Sequence, residues 1–327
     1  MFQVFVIVFL SGLLLNQLAI ALEEKTVFFR LHLKKGVSKL GGIALVLSFF
    51  LFLLFINPEN FFGSKENIFL FGLLLTFLLG LLDDACALSP FKKLFFQSLI
   101  AVLIVSCGFH TQVILFPEGI NQLLSVLWFV VLMNAINFLD IVDGLAAGIT
   151  VICSLTFLCI SVLTHNMITG MFSASLLGAN LAFLVFNRAP ARLYMGDMGS
   201  LFNGCALAGI SVLMHYANPG REVAVLVPLL ILALPIYDFI FVVVVRWRAK
   251  KSLMSKSRDH FILRLLDSGW ALKKAVHLMY FFTFLFNLAA VLLLKSSNAS
   301  GAVLFIFGIG VWLFFAAKVG RRGFSKN

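Results

Sequence analysis

The sequence predicts an all-α, polytopic integral membrane protein of about eleven transmembrane helices, with its amino terminus outside and its carboxy terminus in the cytoplasm. Composition is the first reason: 61% of the 327 residues are hydrophobic and 12% are charged, and the mean hydropathy is +1.07, a balance outside that of soluble domains. The second reason is a series of apolar runs able to cross roughly 30 Å of hydrocarbon. The third is charge placement. Alternate loops and the carboxy-terminal tail hold every one of the 25 Lys and Arg residues except Lys65, Arg221 and Lys295, and basic residues are retained on the cytoplasmic side.

The first run, 1–22, has no basic residue before it, whereas Lys25, Arg30, Lys34 and Lys35 follow it. It therefore reads as an uncleaved span, although Ala19-Ile20-Ala21 resembles a cleavage site. The run 40–57 follows a basic loop and starts at Gly41-Gly42. The run 68–83 ends on the pair Asp83-Asp84, and 92–108 begins at Lys92-Lys93. The run 121–138 carries Asn134 and Asn137 and leads through Asp140 and Asp143 into 145–164. The run 169–186 ends at Asn187, and Asp197 immediately precedes 199–216. The run 222–245 contains Asp238, an intramembrane carboxylate that costs about 2.5 to 3.5 kcal/mol on insertion scales and must face protein or water. The runs 274–294 and 300–318 complete the set. In lipid each backbone must satisfy its own hydrogen bonds, and these lengths suit helices rather than barrel strands. No linker, repeat or low-complexity tract divides the chain, so 1–327 reads as a single transmembrane domain.

The net charge of +11 follows from this topology and suits anionic headgroups and phosphates; it does not point to nucleic acid. Cys86, Cys107, Cys153, Cys159 and Cys205 are scattered without metal-ligand spacing and read as apolar packing residues.

Asp83, Asp84, Asp140, Asp143 and Asp197 all fall on the basic, cytoplasmic side of this topology. Five acids converging on one membrane face repel unless a cation or bound ligand balances them, and oxygen ligands of this kind suit magnesium. Taken singly, each could equally be a solvated loop residue or a helix cap. A cation- or proton-coupled transporter is the competing class, but such proteins place carboxylates near the midplane in broken helices, and only Asp238 suits that picture.

Three segments carry a family resemblance: "DDACALSPFKKLFFQ" (83–97), "NAINFLDIVDGLAAG" (134–148) and "NRAPARLYMGDMGSLFNG" (187–204). In order and spacing they resemble the polyprenyl-phosphate N-acetylhexosamine-1-phosphate transferases, which move a sugar-1-phosphate from a UDP-sugar to a polyprenyl phosphate and release UMP. The resemblance implies that Asp197 binds Mg2+, with Mn2+ as an alternative, because a carboxylate is what a hard cation bridging diphosphate oxygens requires. It implies catalytic roles for Asp83, Asp84, Lys93, Asp140 and Asp143. On a helix, Asp83 and Asp84 diverge by about 100°, so they are not expected to chelate one ion together. One is expected near the acceptor phosphate, while the other supports the metal or Lys93.

Asn137, Asn187 and Tyr194 are implied in substrate binding, Tyr194 by stacking on uracil. Relatives have glycine directly after the first aspartate of "LDIVDGL", where this chain has Ile141. In "HLKKGVSKLGG" (32–42), Lys35 and its neighbour Lys34 are expected to attract lipid phosphate, and the glycine pair to pack beside the site. In "RDHFILRL" (258–265), His260 and Arg264 lie four apart and could grip the donor. Asp238 is expected to make a structural hydrogen bond.

The partners implied are a UDP-N-acetylhexosamine, undecaprenyl phosphate and membrane lipids, and apolar spans leave a homodimer open. The implied place is the cytoplasmic face of a bacterial inner membrane, at the initiating step of O-antigen or another surface glycan. The peptidoglycan lipid I-type reaction is the alternative within the family.

Overall fold

A computed structural model describes residues 1–25, 38–55, 64–113, 116–214, 216, 222–250 and 259–310. The described residues form helices and turns, with one isolated parallel bridge between Ser38 and Leu193. They fall into two units, Met1–Met214 and His215–Asn327.

The first unit contains eight α-helices: α1 (Phe2–Lys25), α2 (Leu40–Phe50, continued by a 3-10 turn over Leu51–Phe55), α3 (Ser64–Cys86), α4 (Pro90–Ser106), α5 (Glu118–Leu139), α6 (Leu145–Leu163), α7 (Met167–Asn187) and α8 (Gly196–Leu213). Their starts follow local chemistry. Ser89 caps α4 by accepting from the Lys92 N–H at 3.4 Å, and Pro90 occupies the first turn, where its missing N–H costs nothing. Asn166 caps α7 in the same way through the Thr169 N–H, at 3.2 Å.

The second unit begins with a 3-10 turn (Glu222–Leu226) and continues through α9 (Val227–Ile231), α10 (Ala233–Arg248), α11 (Phe261–Asp267), α12 (Leu272–Lys295) and α13 (Asn298–Gly310). Helices α9 and α10 meet at a bend of 72°. Pro235 has no N–H for the Ile231 carbonyl four residues back, and Asn287 of α12 donates to that carbonyl instead, at 3.0 Å.

Six helices among the described residues are long and apolar enough to cross a membrane: α1, α3, α5, α6, α7 and α12; the bent pair α9–α10 makes seven if it is one span. The sequence reading of about eleven is thus met by six or seven at this criterion. The other apolar runs form shorter or more polar helices. Helix α4 is 17 residues long. Helix α8 carries Asp197 and Asn203 and is buried along nearly its whole length.

Helix α8 is enclosed because glycines let its neighbours approach. A Cβ at Gly80 of α3 would overlap Met198 Cα, and one at Gly42 of α2 would overlap the Met195 carbonyl and the Met198 side chain. Gly204 of α8 lies equally close to the Leu132 and Met133 backbone of α5. Each glycine meets backbone at this closeness, so no rotamer change can relieve a larger residue. Gly80→Ala is therefore expected to destabilise the protein by about 1 to 3 kcal/mol, read as a lower melting temperature in detergent, whereas Gly119→Ala, where a Cβ meets open space, should leave it unchanged.

Candidate active site

The ends of α3 and α5 and the starts of α4 and α8 meet at one end of the first unit, and their polar side chains converge there. Asp83 closes the turn after α3: its Oδ1 accepts from the Leu88 N–H at 2.8 Å, leaving Oδ2 2.8 Å from Lys93 Nζ. Asp84, one residue on, points elsewhere. Its Oδ1 lies 2.5 Å from Lys39 Nζ at the start of α2, and its Oδ2 accepts from the Met198 N–H of α8 at 3.1 Å. The two carboxylates diverge as a helical step requires, and each has its own lysine.

Lys93 is the hub. Its Nζ is 2.7 Å from Asp197 Oδ1, 2.8 Å from Asp83 Oδ2 and 3.4 Å from Asn137 Oδ1. Asn137 in turn donates to Asp197 Oδ1 and, at 2.8 Å, to Ser200 Oγ. One helical turn deeper, Asn134 donates to Gln97 Oε1 at 2.7 Å and ties α5 to α4. On the opposite side, Asn180 and Asn203 exchange hydrogen bonds at 3.0 and 2.8 Å and tie α7 to α8.

The loop between α7 and α8 is strapped down by three expected site residues. Asp143 Oδ2 accepts from the Ala191 N–H at 3.0 Å. The buried Asn187 uses both ends of its amide, accepting from the Gly144 N–H at 3.0 Å and donating to the Leu193 carbonyl at 2.8 Å. The Tyr194 N–H donates to the Ser38 carbonyl at 2.7 Å, leaving a half-buried ring beside Asp143 and Asp140. The loop contains a cis Ala189–Pro190 bond. Ile141 imposes no left-handed strain, because the positive φ in this turn falls on Gly144, at +80°.

Asp140 follows α5 and feels the cluster electrostatically. Burial, then the charges of Asp197 and Asp84, push its carboxyl well above the usual range, and Lys39 opposes this. Among the described residues, two ammonium groups, those of Lys39 and Lys93, pair directly with three of the five carboxylates. Among the described residues no three Asp, Glu, His or Cys side chains surround a common metal position. Of the ion-paired acids here, Asp197 is the most open, 29% exposed at the side chain against 9% for Asp83 and 0% for Asp84. One accessible carboxylate among hard oxygen donors fits Mg2+, which takes one or two protein ligands and completes its shell with phosphate and water.

Lys39 and Ser200 are site residues that sequence reading passed over. Lys39 carries a signal, since only Leu40 separates it from Gly41-Gly42, on the turn that packs against Met195. Ser200 carries none beyond its place one turn after Asp197. Lys35 lies outside the described residues.

His260 and Arg264 belong to the second unit. There His260 precedes α11, and the Arg264 N–H donates to its carbonyl at 3.1 Å, the single turn their spacing implied. Asp238, buried in α10, makes the structural bonds expected of it: His260 Nδ1 lies 3.0 Å from Oδ2, and the Phe261 N–H donates to Oδ1 at 2.9 Å. Asp259 stands 3.9 Å from Arg246 and 3.8 Å from Arg264.

Removing the hub cation leaves Asp83 and Asp197 facing each other unpaired. Lys93→Met is expected to lower stability by about 1 to 3 kcal/mol, and adding Asp197→Asn to recover most of that loss; melting temperatures of the two variants in detergent check both.

Residues 67–215, which hold every acid of the cluster, match the family described as Glycosyl transferase family 4. The chain is 30% identical over 256 residues to a Bacillus subtilis protein named "Probable undecaprenyl-phosphate N-acetylglucosaminyl 1-phosphate transferase", covering 76% of this chain and 71% of that one. It is 31% identical over 275 residues to the phospho-N-acetylmuramoyl-pentapeptide-transferase of Dictyoglomus turgidum, covering 80% and 84%. It is 32% identical over 262 residues to the enzyme of the same name from Dictyoglomus thermophilum, covering 76% and 80%. With the acid cluster lying inside the matched segment, the chain belongs to glycosyl transferase family 4, the polyprenyl-phosphate sugar-1-phosphate transferases.

Proposed function

We propose that this protein transfers N-acetylhexosamine-1-phosphate from a UDP-sugar to undecaprenyl phosphate at the cytoplasmic face of a bacterial inner membrane, opening the synthesis of a surface glycan. The observation that carries the reading is the Lys93 hub, an ammonium held between Asp83 and Asp197 at the end of a helix bundle. A phosphoryl transfer between two anions needs positioning and charge neutralisation more than covalent chemistry. A bundle end gives access both to water, where a nucleotide arrives, and to lipid, where an isoprenoid tail lies.

In the reaction an oxygen of the acceptor phosphate forms a bond to the sugar-bearing phosphorus of the donor, and the bond from that phosphorus to the UMP oxygen breaks. Asp83, beside Lys93, positions the acceptor, and direct attack is the proposed route. Lys93 offsets charge on the transferring group, and Asn137 and Asp140 line the nucleotide side. Asp143 and Asn187 hold the loop that presents the Tyr194 ring to the base. Asp197 is the residue that would hold Mg2+, which supplies neutralisation of diphosphate charge when bound. Contact of His260 and Arg264 with the donor, attraction of lipid phosphate by Lys35, eleven crossings with the amino terminus outside, and a homodimer are further parts of the proposal.

The name of the Bacillus subtilis relative supports an N-acetylglucosamine donor, and the names of the Dictyoglomus relatives support the peptidoglycan-type donor as a second reading. The "RDHFILRL" segment, with His260 as its only histidine, favours the first.

Purified protein given undecaprenyl phosphate, Mg2+ and a panel of UDP-N-acetylhexosamines, including the muramoyl-pentapeptide donor, is expected to release UMP. Release should need the lipid, the cation and Asp197; Asp197→Asn should lower it by about 100-fold or more. The preferred donor decides between the two readings, and a folded wild-type protein that releases no UMP from any donor would overturn both.

A further inference from the structure

Lys39 has an ion pair in the cluster but no role in the reaction as described so far. Its backbone is fixed from both sides. The buried Ser38 accepts from the Leu40 N–H through its Oγ at 3.0 Å and from the Tyr194 N–H through its carbonyl at 2.7 Å. Gly41 and Gly42 then press against the Tyr194 and Met195 carbonyls, where no Cβ would fit. From this anchored point the Lys39 ammonium reaches 2.5 Å from Asp84 Oδ1, with 21% of its side chain exposed against none of the aspartate's. The other oxygen of Asp84 accepts from the Met198 N–H, and Met198 directly follows Asp197. Gly196, at φ +67°, leaves room for that carboxylate where a Cβ would collide with it.

We propose that Lys39 is a positioning residue: by clamping Asp84 it fixes the first turn of α8 and so the place of Asp197. The inference rests on reading the cluster as a phosphotransfer site. Without its cation, a fully buried carboxylate is drawn towards water and releases the Met198 N–H, the only bond by which α3 holds that turn among the bonds described here. Lys39 thus acts through Asp84 rather than on substrate.

A double-mutant cycle with the intact protein tests this, using UMP release with the best donor. Wild type is assayed first; its inactivity would sink the phosphotransferase reading and this inference with it, whereas in an active enzyme the variants bear on Lys39 alone. Lys39→Met is expected to lower kcat by about tenfold or more while the KM values for both substrates move by less than about threefold. Lys39→Arg should restore most of the rate, since an Asp–Arg pair keeps the clamp. Asp84→Asn should cost a similar factor, and the double variant no more than the worse single one, the mark of two residues acting as a unit. Multiplying costs, a rise in KM at unchanged kcat, or a fully active Lys39→Met would each overturn the proposal. If Lys39→Met does not fold, as melting and gel filtration would show, Lys39→Gln, which keeps a donor without the charge, completes the same cycle.

Discussion

The ammonium of Lys93 lies between Asp83 and Asp197, and that arrangement fixes how far the α3–α4 turn stands from the start of α8. Lys93 and Asp197 lie 104 positions apart in the chain. Coulomb attraction between unit charges about 4 Å apart is about 4 kcal/mol at an effective dielectric of about 20, and desolvation of three partly buried charges offsets much of what the pairs gain. Net stability is therefore a poor account of why the triad is there. Its geometric effect is firmer: any shift of α8 lengthens two charge-assisted bonds at once. Asn137, bonded to both Lys93 and Asp197, extends the same constraint to α5 without adding charge.

Backbone approach makes that geometry reachable. Met198 touches Gly80 of α3 and Gly42 of α2, and the α8 turn begins at Gly196, in the left-handed region, with the Asp84 carboxylate occupying the space of its missing side chain. The glycines act at different levels. Gly196 and Gly144 supply backbone conformations that a side chain would strain. Gly80 and Gly42 instead permit contact. Both kinds serve one result, which is to seat the polar first turn of α8 within a bundle that is otherwise apolar. The asparagine pair Asn180–Asn203 satisfies the polar groups that this burial would otherwise strand.

Much of this was legible in the sequence, for identifiable reasons. Spacing placed Asp83, Lys93, Asn137 and Asp197 at helix ends, because an apolar run of fixed length leaves its flanking polar residues at the membrane boundary. The divergence of Asp83 and Asp84 followed from the helical step alone. Lys39 was missed because its partner lies 45 residues away, and a single lysine in a basic loop looks like every other topological charge. Asn187 was expected in substrate binding and Asp143 in catalysis, and each also holds loop backbone; side-chain chemistry gives the donor and acceptor types but not every partner that uses them. Six or seven of the expected eleven crossings are long and apolar enough among the described residues. Hydropathy detects what lipid tolerates, and α8 is covered by protein, so its polar residues are permitted and its apolar character falls.

The position of the charges also separates the two classes of function that the composition allowed. Coupling carboxylates in transporters lie near the bilayer midplane in broken helices, where an ion must be handed across. Among the described residues the one bent pair of helices that could be a broken span, α9–α10, places Asp238 in bonds to His260 and to the Phe261 backbone, a structural assignment that occupies both carboxylate oxygens. Asp83, Asp84 and Asp197 instead sit at helix ends, joined to two lysines in one cluster. A cluster at a boundary cannot move an ion across the hydrocarbon, but it can hold two anions whose non-reacting parts require different solvents.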